Sequence, residues 1–472
     1  MSDQQNKLIN RPPRIQPDLP QEEVEIPPPP VEDRQGQPLI QTFLPLITII
    51  GYVIVSTTGQ RSNLLMILPM ALSVIASSGL AVWMYFRDAR VMKEKRDSYK
   101  QRITQLRKEM EASHDMQRNF YLYNYPNIET VLQIAQNSAT ADAKDNRSGT
   151  RLWERRTSDR DFGVVRLGLG VLPSTVIYTV QMAENHEDPL MDEAKKLAED
   201  SLFVQDVPIT IALRPQHLGG DKTIPPRHSI GICGSMGATD KGKTEKQIYE
   251  FVRGMLTHFT AFHAPTDTRV YIYAPPKART QWQWARWLPH CTSGKRDEQD
   301  NILRGDQLYF EPQTPAPFWE MIKADLDRRL VRMADKDSGD VTLPFLLVVV
   351  DALSLDDPNS PMKDVQSEEA VSLIIRRGAE LGVSILFLTP NASYIPSQAE
   401  TVIEVDTLVE VDGSRVTETG VLFRYAEVGL NSTRFIGKAD TINEADAQHS
   451  FARKMESLSV RSTFGTAGLA SS

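Results

Sequence analysis

The residues of this chain best suited to chemistry lie in the octapeptide GATDKGKT, residues 237–244, which matches the phosphate-loop pattern GxxxxGK[ST]. In such a loop, Gly237 and Gly242 would let backbone amides approach a phosphate group. Lys243 would contact the β- and γ-phosphates, and the hydroxyl of Thr244 would ligate Mg²⁺. A strand is expected before the loop and an amphipathic helix after it, so the pattern predicts a site for ATP and magnesium.

A second part of the predicted nucleotide site is Asp351. It ends PFLLVVVD, residues 344–351, an apolar segment that predicts a strand buried on both faces. A carboxylate in that place can hold a magnesium-bound water, as a Walker-B aspartate does. Ala352 follows, where motor ATPases usually carry a catalytic glutamate, so no catalytic residue is assigned. Because Ser235 and Met236 separate the predicted strand from the loop, a solvated strand–helix connection without nucleotide remains the alternative.

The composition excludes several other classes of site. Two cysteines, Cys233 and Cys291, are too few for a disulfide scaffold or a four-cysteine zinc cluster, and they fit a reducing compartment. The net charge of −8 gives no support to a nucleic-acid-coating surface. The segment QWQWARWLPH, residues 281–290, carries three indoles that we interpret as core or interface packing. The histidines without metal-ligand spacing, interpreted as surface or helix-end residues, are His258, His263 and His290.

The C-terminal half of the chain has the pattern of an α/β domain. Residues 227–456 alternate between apolar strand-like segments and amphipathic helix-like segments. The helical pattern is clearest just after the phosphate-loop motif, where the apolar residues of 248–262 recur on one face. Such alternation predicts a parallel sheet covered by helices. Residues 401–436 are expected to form short antiparallel strands, and a helix over 442–456 is expected to close the domain.

Two uncharged apolar segments, residues 39–59 and 64–86, lie near the N-terminus. Each reaches the roughly 20 residues that a helix needs to cross a bilayer. The short linker between them predicts a two-helix transmembrane hairpin. The Arg- and Lys-rich segment 87–96 follows the second span, and the positive-inside rule therefore places both termini in the cytoplasm. The prediction is a multi-pass protein of the inner or plasma membrane of the cell, and a buried soluble hairpin is the alternative.

The chain around the hairpin divides into further predicted regions. Residues 1–38 hold nine prolines and predict a disordered cytoplasmic tail. Residues 87–140 predict a helical stalk, with four apolar residues at 4-3-4 spacing from Tyr99 to Met110. This face could serve dimerisation or pack against the chain itself. The remaining predicted regions are a small β-rich domain at 141–222, a P-loop-ATPase-like α/β domain at 223–456 and a flexible C-terminal tail at 457–472.

A family resemblance rests on the segment RLWERRTSDRDFGVVRLGLG, residues 151–170. It resembles the LWERR signature of the EccC/EssC family, the FtsK/SpoIIIE-type motor ATPases of type VII (ESX/WXG100) secretion. The residues that carry the signature are Leu152, Trp153, Glu154, Arg155 and Arg156. The WLPH motif within residues 281–290 agrees with the family, as does the order of tail, hairpin, stalk and signature. The resemblance covers about residues 10–455 and implies the N-terminal half of such a protein.

The resemblance also implies a function. In that family the first cytoplasmic domain has an ATPase-like fold whose nucleotide site is usually degenerate. The chain is therefore expected to be a membrane-anchoring and assembly part of a protein secretion motor, and not an enzyme by itself. The implied partners are other membrane subunits of the secretion complex, further copies of the chain, and WXG100-type substrates bound through modules expected outside this chain. The alternative is an active ATP-binding FtsK/SpoIIIE-like motor or DNA translocase, although no nucleic-acid partner is predicted.

Overall fold

The computed structural model of the chain describes most of its length. The described residues are 14, 16–30, 50, 54, 64–140, 151–181, 188–214, 228–238, 240–310, 316–334, 343–412, 415–427, 434–443 and 445–463. The helices, in chain order, are α1 Leu64–Asn124, α2 Ile128–Thr140, α3 Pro189–Asp200, α4 Lys241–Phe262, α5 Arg279–Trp282, α6 Ala316–Ala334, α7 Glu369–Leu381 and α8 Ala445–Thr463. Short 3₁₀ turns include Pro276–Ala278, Gln283–Trp287 and Leu353–Asp356.

The strands form two sheets. In chain order they are β1 Glu22–Ile26, β2 Val164–Pro173, β3 Val176–Val180, β4 Phe203–Ala212, β5 Ser229–Gly234, β6 Thr268–Tyr273, β7 Leu308–Tyr309, β8 Phe345–Asp351, β9 Val383–Thr389, β10 Thr401–Asp412, β11 Arg415–Glu427 and β12 Arg434–Ala439. The chain divides into two compact units. The first comprises Met1–Asp18, Arg118–Leu172 and Gln205–Ser472, and the second Leu19–Gln117 and Pro173–Val204.

The first unit is built on a ten-stranded sheet in the order β4-β2-β12-β11-β10-β5-β9-β8-β6-β7. From β10 to β7 all neighbouring strands are parallel. The pairs β10–β11, β11–β12 and β12–β2 are antiparallel. The fold is therefore mixed α/β with a mostly parallel sheet, as the alternation of segments predicted. β2 and β4, which the sequence placed in a separate small β-rich domain, extend this sheet at one edge.

The core of the first unit lies on both faces of its central strands. All residues of β8 and of β9 are buried. Because side chains alternate along a strand, Leu347 and Val349 pack on the α4 side, while Leu346 and Val348 pack with α6 and α7. The continuous apolar run of β8 thus reflects burial on two faces, and it fixes where Asp351 must lie.

The second unit has its own apolar core, built by α3, the two-stranded parallel sheet β1–β3 and the part of α1 up to Gln117. The apolar face of the predicted stalk is buried here, with Leu106 completely inaccessible. Its neighbours in the core are Ile26, Val176 and Leu190. Of the two uses considered for this face, the structure has it packed against its own chain. Residues Glu22–Ile26, within the predicted disordered tail, form β1.

The prediction of a two-helix transmembrane hairpin is wrong. Among the residues that the structure describes, no helix has both the length and the apolarity needed to cross a membrane. Apart from Ile50 and Ile54, the first predicted span lies outside those residues. The second, 64–86, is the start of α1, a single 61-residue helix that runs on into charged sequence. The multi-pass membrane localisation with two cytoplasmic termini rested on this hairpin and is corrected with it.

Candidate nucleotide site

A cleft of about 490 Å³ opens beside the carboxyl ends of β5, β8 and β9. Ligands of open α/β sheets commonly bind at this edge, so it is the place where a nucleotide site is expected. Ser235 and Ser354 line the cleft together with Thr244, which belongs to the predicted site. Lys241 and Lys277 bring positive charge to the same lining.

The loop that follows β5 leads directly into α4, as the motif predicts, but the helix N-terminus is already occupied. Asp240 is the N-cap of α4, and its carboxylate accepts a hydrogen bond of 3.1 Å from the backbone amide of Lys243. A carboxylate is favourable there because it satisfies a free amide and meets the positive end of the helix dipole. A phosphate would have to use the same amides, so Asp240 competes with it.

The side chains of the motif also have partners within the protein. The ammonium group of Lys243 forms an ion pair with Glu418 on β11. The hydroxyl of Thr244 donates a hydrogen bond of 2.9 Å to the backbone carbonyl of Asp240. The Lys243–Glu418 pair is partly exposed, and pairs of that kind are generally weak, so it directs the side chain more than it stabilises the fold.

The two glycines of the motif do not lie where only glycine fits. A methyl group added at Gly237 would meet no described atom within 4 Å. One added at Gly242 would lie 3.7 Å from the nearest carboxylate oxygen of Asp240, which is ordinary van der Waals contact. Phosphate loops use glycine so that the backbone can approach the ligand closely. The geometry here does not need that property at either position.

Asp351 ends β8 as expected, but its carboxylate is buried and already fully engaged. The hydroxyl of Tyr249 and the indole nitrogen of Trp282 each donate a 2.8 Å hydrogen bond to Oδ2. The backbone amide of Leu353 lies 3.3 Å from Oδ1. Burial raises the pKa of Asp351, and the two side-chain hydrogen bonds oppose that shift only in part. We call this group the Asp351 cluster: Asp351, Tyr249 and Trp282.

The structure therefore separates the predicted ligands. Thr244 lines the cleft, Lys243 is directed to β11, and Asp351 lies in the interior, where it is bound to Tyr249 of α4. The sequence did not identify Tyr249 and Trp282 as neighbours of Asp351. The available signal was chemical, because a buried indole or phenol normally needs a hydrogen-bond acceptor.

The charges around the cleft are mixed. Its described lining carries Glu245, Asp356 and Asp357 beside Lys241 and Lys277. The nearest atoms of Lys241 and Asp356 are 2.7 Å apart, and the hydrogen bond from this lysine lowers the pKa of the Asp356 carboxyl. A site for a polyphosphate is expected to carry an excess of positive charge. Carboxylates outnumber ammonium groups here, so the electrostatics do not favour one.

The LWERR segment holds the opposite end of α4. Trp153 adopts a left-handed backbone conformation with φ of 57°. Its amide donates a hydrogen bond of 2.8 Å to the carbonyl of Ala261, and its indole donates one of 3.1 Å to the carbonyl of Thr260. The amide of Arg155 donates a 3.0 Å hydrogen bond to Phe262. These bonds satisfy carbonyls that a helix end otherwise leaves without partners.

Arg155 is the buried centre of this segment, with no exposed side-chain surface. Its guanidinium donates to the backbone carbonyls of Val164 and Asn124 and lies 3.4 Å from the carboxylate of Asp161. It also stacks over the ring of Tyr125, 4.7 Å from the ring centroid. Of the other signature residues, Leu152 and Trp153 are buried apolar residues, Glu154 pairs with Arg151 and Arg156 is exposed. The contacts of the signature in this structure are those of a structural clamp.

Comparisons with known proteins agree with this signature, although no family model matches the chain. An ESX secretion system protein EccC of Geobacillus thermodenitrificans is 23% identical over 410 residues, 84% of this chain and 24% of that protein. EccC of Thermomonospora curvata is 31% identical over 147 residues, 30% of this chain and 9% of that protein. This chain is an EccC/EssC-family protein. It spans about a quarter or less of the length of these relatives.

Among solved structures, the cytoplasmic domain of the Thermomonospora curvata type VII secretion ATPase EccC is similar to this EccC/EssC-family chain. The identity is 13%, the TM-score is 0.42, and the match covers 70% of this chain and 34% of that one. The family assignment rests on the sequence matches and not on this likeness. The two EccC relatives are ESX secretion system proteins. A type VII secretion system protein EssC of Staphylococcus aureus is 20% identical over 415 residues, 85% of this chain and 24% of that protein.

The histidines of this EccC/EssC-family chain differ from the sequence-based interpretation. His258, His263 and His290 are completely buried, so they are not surface residues, and only His263 lies at a helix end, as the C-cap of α4. Burial lowers the pKa of all three, that of His290 to about 4, and keeps them neutral at pH 7. In the described part of the chain, no group of histidine, cysteine and acidic side chains could hold a metal ion.

The Asp351 cluster leads to a test by substitution and pH. Asp351→Asn keeps an oxygen that can accept from both Tyr249 and Trp282 but removes the buried charge. We expect its unfolding free energy at neutral pH to equal or exceed that of the wild type. Asp351→Ala leaves two buried donors without an acceptor, and we expect a loss of about 2–4 kcal/mol. Urea denaturation of the full chain measures both.

The same denaturation experiment gives a pH signature. Because the folded-state pKa of Asp351 is raised, its contribution to stability is complete below the ordinary aspartate pKa. That contribution is lost as pH rises through the raised pKa. Asp351→Asn should abolish this dependence, whereas the exposed control Asp357→Asn should keep it. Equal destabilisation by Asn and Ala at position 351, with no change in pH dependence, would contradict the described cluster.

Proposed function

We propose that this EccC/EssC-family chain is a non-hydrolysing assembly component of a type VII secretion motor, with a degenerate nucleotide site in its ATPase-like domain. The observation that carries the proposal is the Asp351 cluster. A Walker-B carboxylate must face the magnesium-bound water. The carboxylate of Asp351 instead accepts hydrogen bonds from Tyr249 and Trp282 in the protein interior.

Further contacts support a degenerate site. The carboxylate of Asp240 accepts a hydrogen bond from a backbone amide at the N-terminus of α4, and the ammonium of Lys243 is paired with Glu418. To bind ATP with magnesium, the chain would have to break both contacts and turn a buried carboxylate outwards. Ala352 supplies no acid to activate water. In the described arrangement, the residues predicted to bind ATP and magnesium are therefore not placed to do so.

The proposed partners are other subunits of a type VII secretion complex and further copies of this chain, with WXG100-type substrates handled by the assembled complex. They are inferred from the relatives, which are type VII secretion components.

The competing proposal is an ATP-binding, FtsK/SpoIIIE-like motor. The size and place of the cleft favour it, since about 490 Å³ at the carboxyl edge of a parallel sheet could accept a small ligand. Lys277 also lines that cleft. The contacts of Lys243 and Asp351 are the reason for preferring the non-hydrolysing function.

ATP turnover by the purified full chain separates the two proposals. We expect phosphate release in the presence of magnesium to stay at the background rate, and Lys243→Ala to leave it there, because the lysine is paired with Glu418. Lys246→Ala, a change of the same type at an exposed residue of α4, is the control. Turnover by the wild type that Lys243→Ala abolishes and Lys246→Ala preserves would refute the non-hydrolysing proposal.

Assembly is tested by co-expression of the chain with other subunits of a type VII secretion system. We expect a tagged chain to co-purify with them, and Asp351→Asn and Lys243→Ala to co-purify equally well. The reason is that Asp351 is buried, away from the protein surface, and that Lys243 is held only in a weak ion pair. Failure of the wild type to associate, or loss of the complex on Lys243→Ala alone, would contradict an assembly role independent of nucleotide.

A further inference from the structure

Three arginine side chains stack around one indole ring, that of Trp287, on the first unit. The guanidinium carbon of Arg453 lies 4.5 Å from the ring centroid, and those of Arg286 and Arg304 each lie 5.2 Å from it. These residues come from α8, from the 3₁₀ turn Gln283–Trp287 and from the loop before β7. We call this group the Trp287 surface. The fold has gathered its charges from distant parts of the chain.

The Trp287 surface has more positive than negative charge. All three arginines are exposed, while Trp287 is half-buried against the main core. Arg304 forms an ion pair with Glu456. Arg286 and Arg453 form no ion pair with any residue that the structure describes. A local excess of positive charge is notable in a chain whose net charge is −8.

The concentration of like charge is unfavourable by itself. All three guanidinium groups lie within 5.2 Å of one ring centroid, so their fields add within about one Debye length, roughly 10 Å at 0.1 M salt. Stacking on the indole compensates each charge only in part. A guanidinium that lies over an indole can still direct N–H groups away from the ring, and such groups bind carboxylates in a bidentate manner. The arrangement is therefore one that an acidic ligand would stabilise.

We propose that the Trp287 surface is a docking site for an acidic peptide segment of a partner protein, with carboxylates on Arg286 and Arg453. A peptide fits better than a nucleic acid for two reasons. Glu456 puts a negative charge within the group, which opposes a continuous polyanion but not spaced carboxylates. A nucleic-acid surface also needs a basic stripe over several phosphates, and the net charge of −8 gives no support to one. This proposal does not depend on the state of the nucleotide site.

The test measures binding of a fluorescein-labelled oligo-glutamate peptide to the full chain by fluorescence anisotropy. We expect binding at low salt that weakens at physiological salt, as screening requires. The double variant Arg286→Gln/Arg453→Gln should bind about tenfold more weakly or worse, because both bidentate contacts are lost. Circular dichroism and thermal unfolding check that the variant is folded, which is expected because both side chains are exposed.

The matched control is Arg328→Gln/Arg377→Gln, which also removes two positive charges, one from α6 and one from α7. Both arginines are exposed and pair with neighbouring carboxylates, so they do not resemble the Trp287 surface. We expect the control to bind the peptide within about twofold of the wild type. Equal weakening in both double variants, or no binding by the wild type at low salt, would overturn the proposal. Tighter binding of an oligothymidylate than of the peptide would also overturn it, in favour of nucleic acid.

Discussion

The buried carboxylate of Asp351 is the interaction on which the arrangement of the first unit depends most. Taking a carboxylate out of water costs several kcal/mol unless hydrogen bonds replace the lost solvent. Tyr249 supplies one such bond from α4, and Trp282 supplies another from α5. The carboxylate of Asp351 thereby links the central strand β8 to α4 and to α5. A residue that is committed to the core in this way is not available to hold a metal ion.

The helix α4 is the second constraint, because it is fixed at both ends by neighbouring residues. Asp240 caps its N-terminus, and the LWERR segment takes up its last carbonyls through Trp153 and Arg155. In a phosphate-binding loop the N-terminal amides are left for the ligand. Here the protein supplies the anion itself, which is consistent with the proposed degenerate site. The family signature and the motif that resembles a phosphate loop thus act on one helix.

Much of the α/β core could be predicted from the sequence, and the contacts of the site could not. Burial on both faces leaves a continuous apolar run, so β8 and β9 were apparent from composition alone. The pattern GxxxxGK[ST] was also present with the expected strand and helix around it. Its side chains, however, are directed by residues far away in sequence. Glu418 pairs with Lys243, and Trp282 binds Asp351, and no local pattern reports such long-range contacts.

The incorrect transmembrane hairpin has a different cause. The prediction rested on the length and the lack of charge of each segment. Residues 64–86 instead open one long helix, and the described part of that helix is not apolar enough to cross a membrane. The apolar helix face predicted from Tyr99 to Met110, in contrast, is buried in the structure. That prediction rested on the periodicity of the apolar residues. Periodicity was the more reliable signal in this chain because it reports which side of an element is buried.

The most direct test of the proposed degenerate nucleotide site is a crystal structure of the full chain grown with a non-hydrolysable ATP analogue and magnesium. The account predicts that no phosphate lies against the amides of Gly242 and Lys243. It also predicts that Lys243 stays paired with Glu418, and that Asp351 stays bound to Tyr249 and Trp282. Phosphates seated on those amides, with Lys243 released and Asp351 turned towards magnesium, would contradict the account.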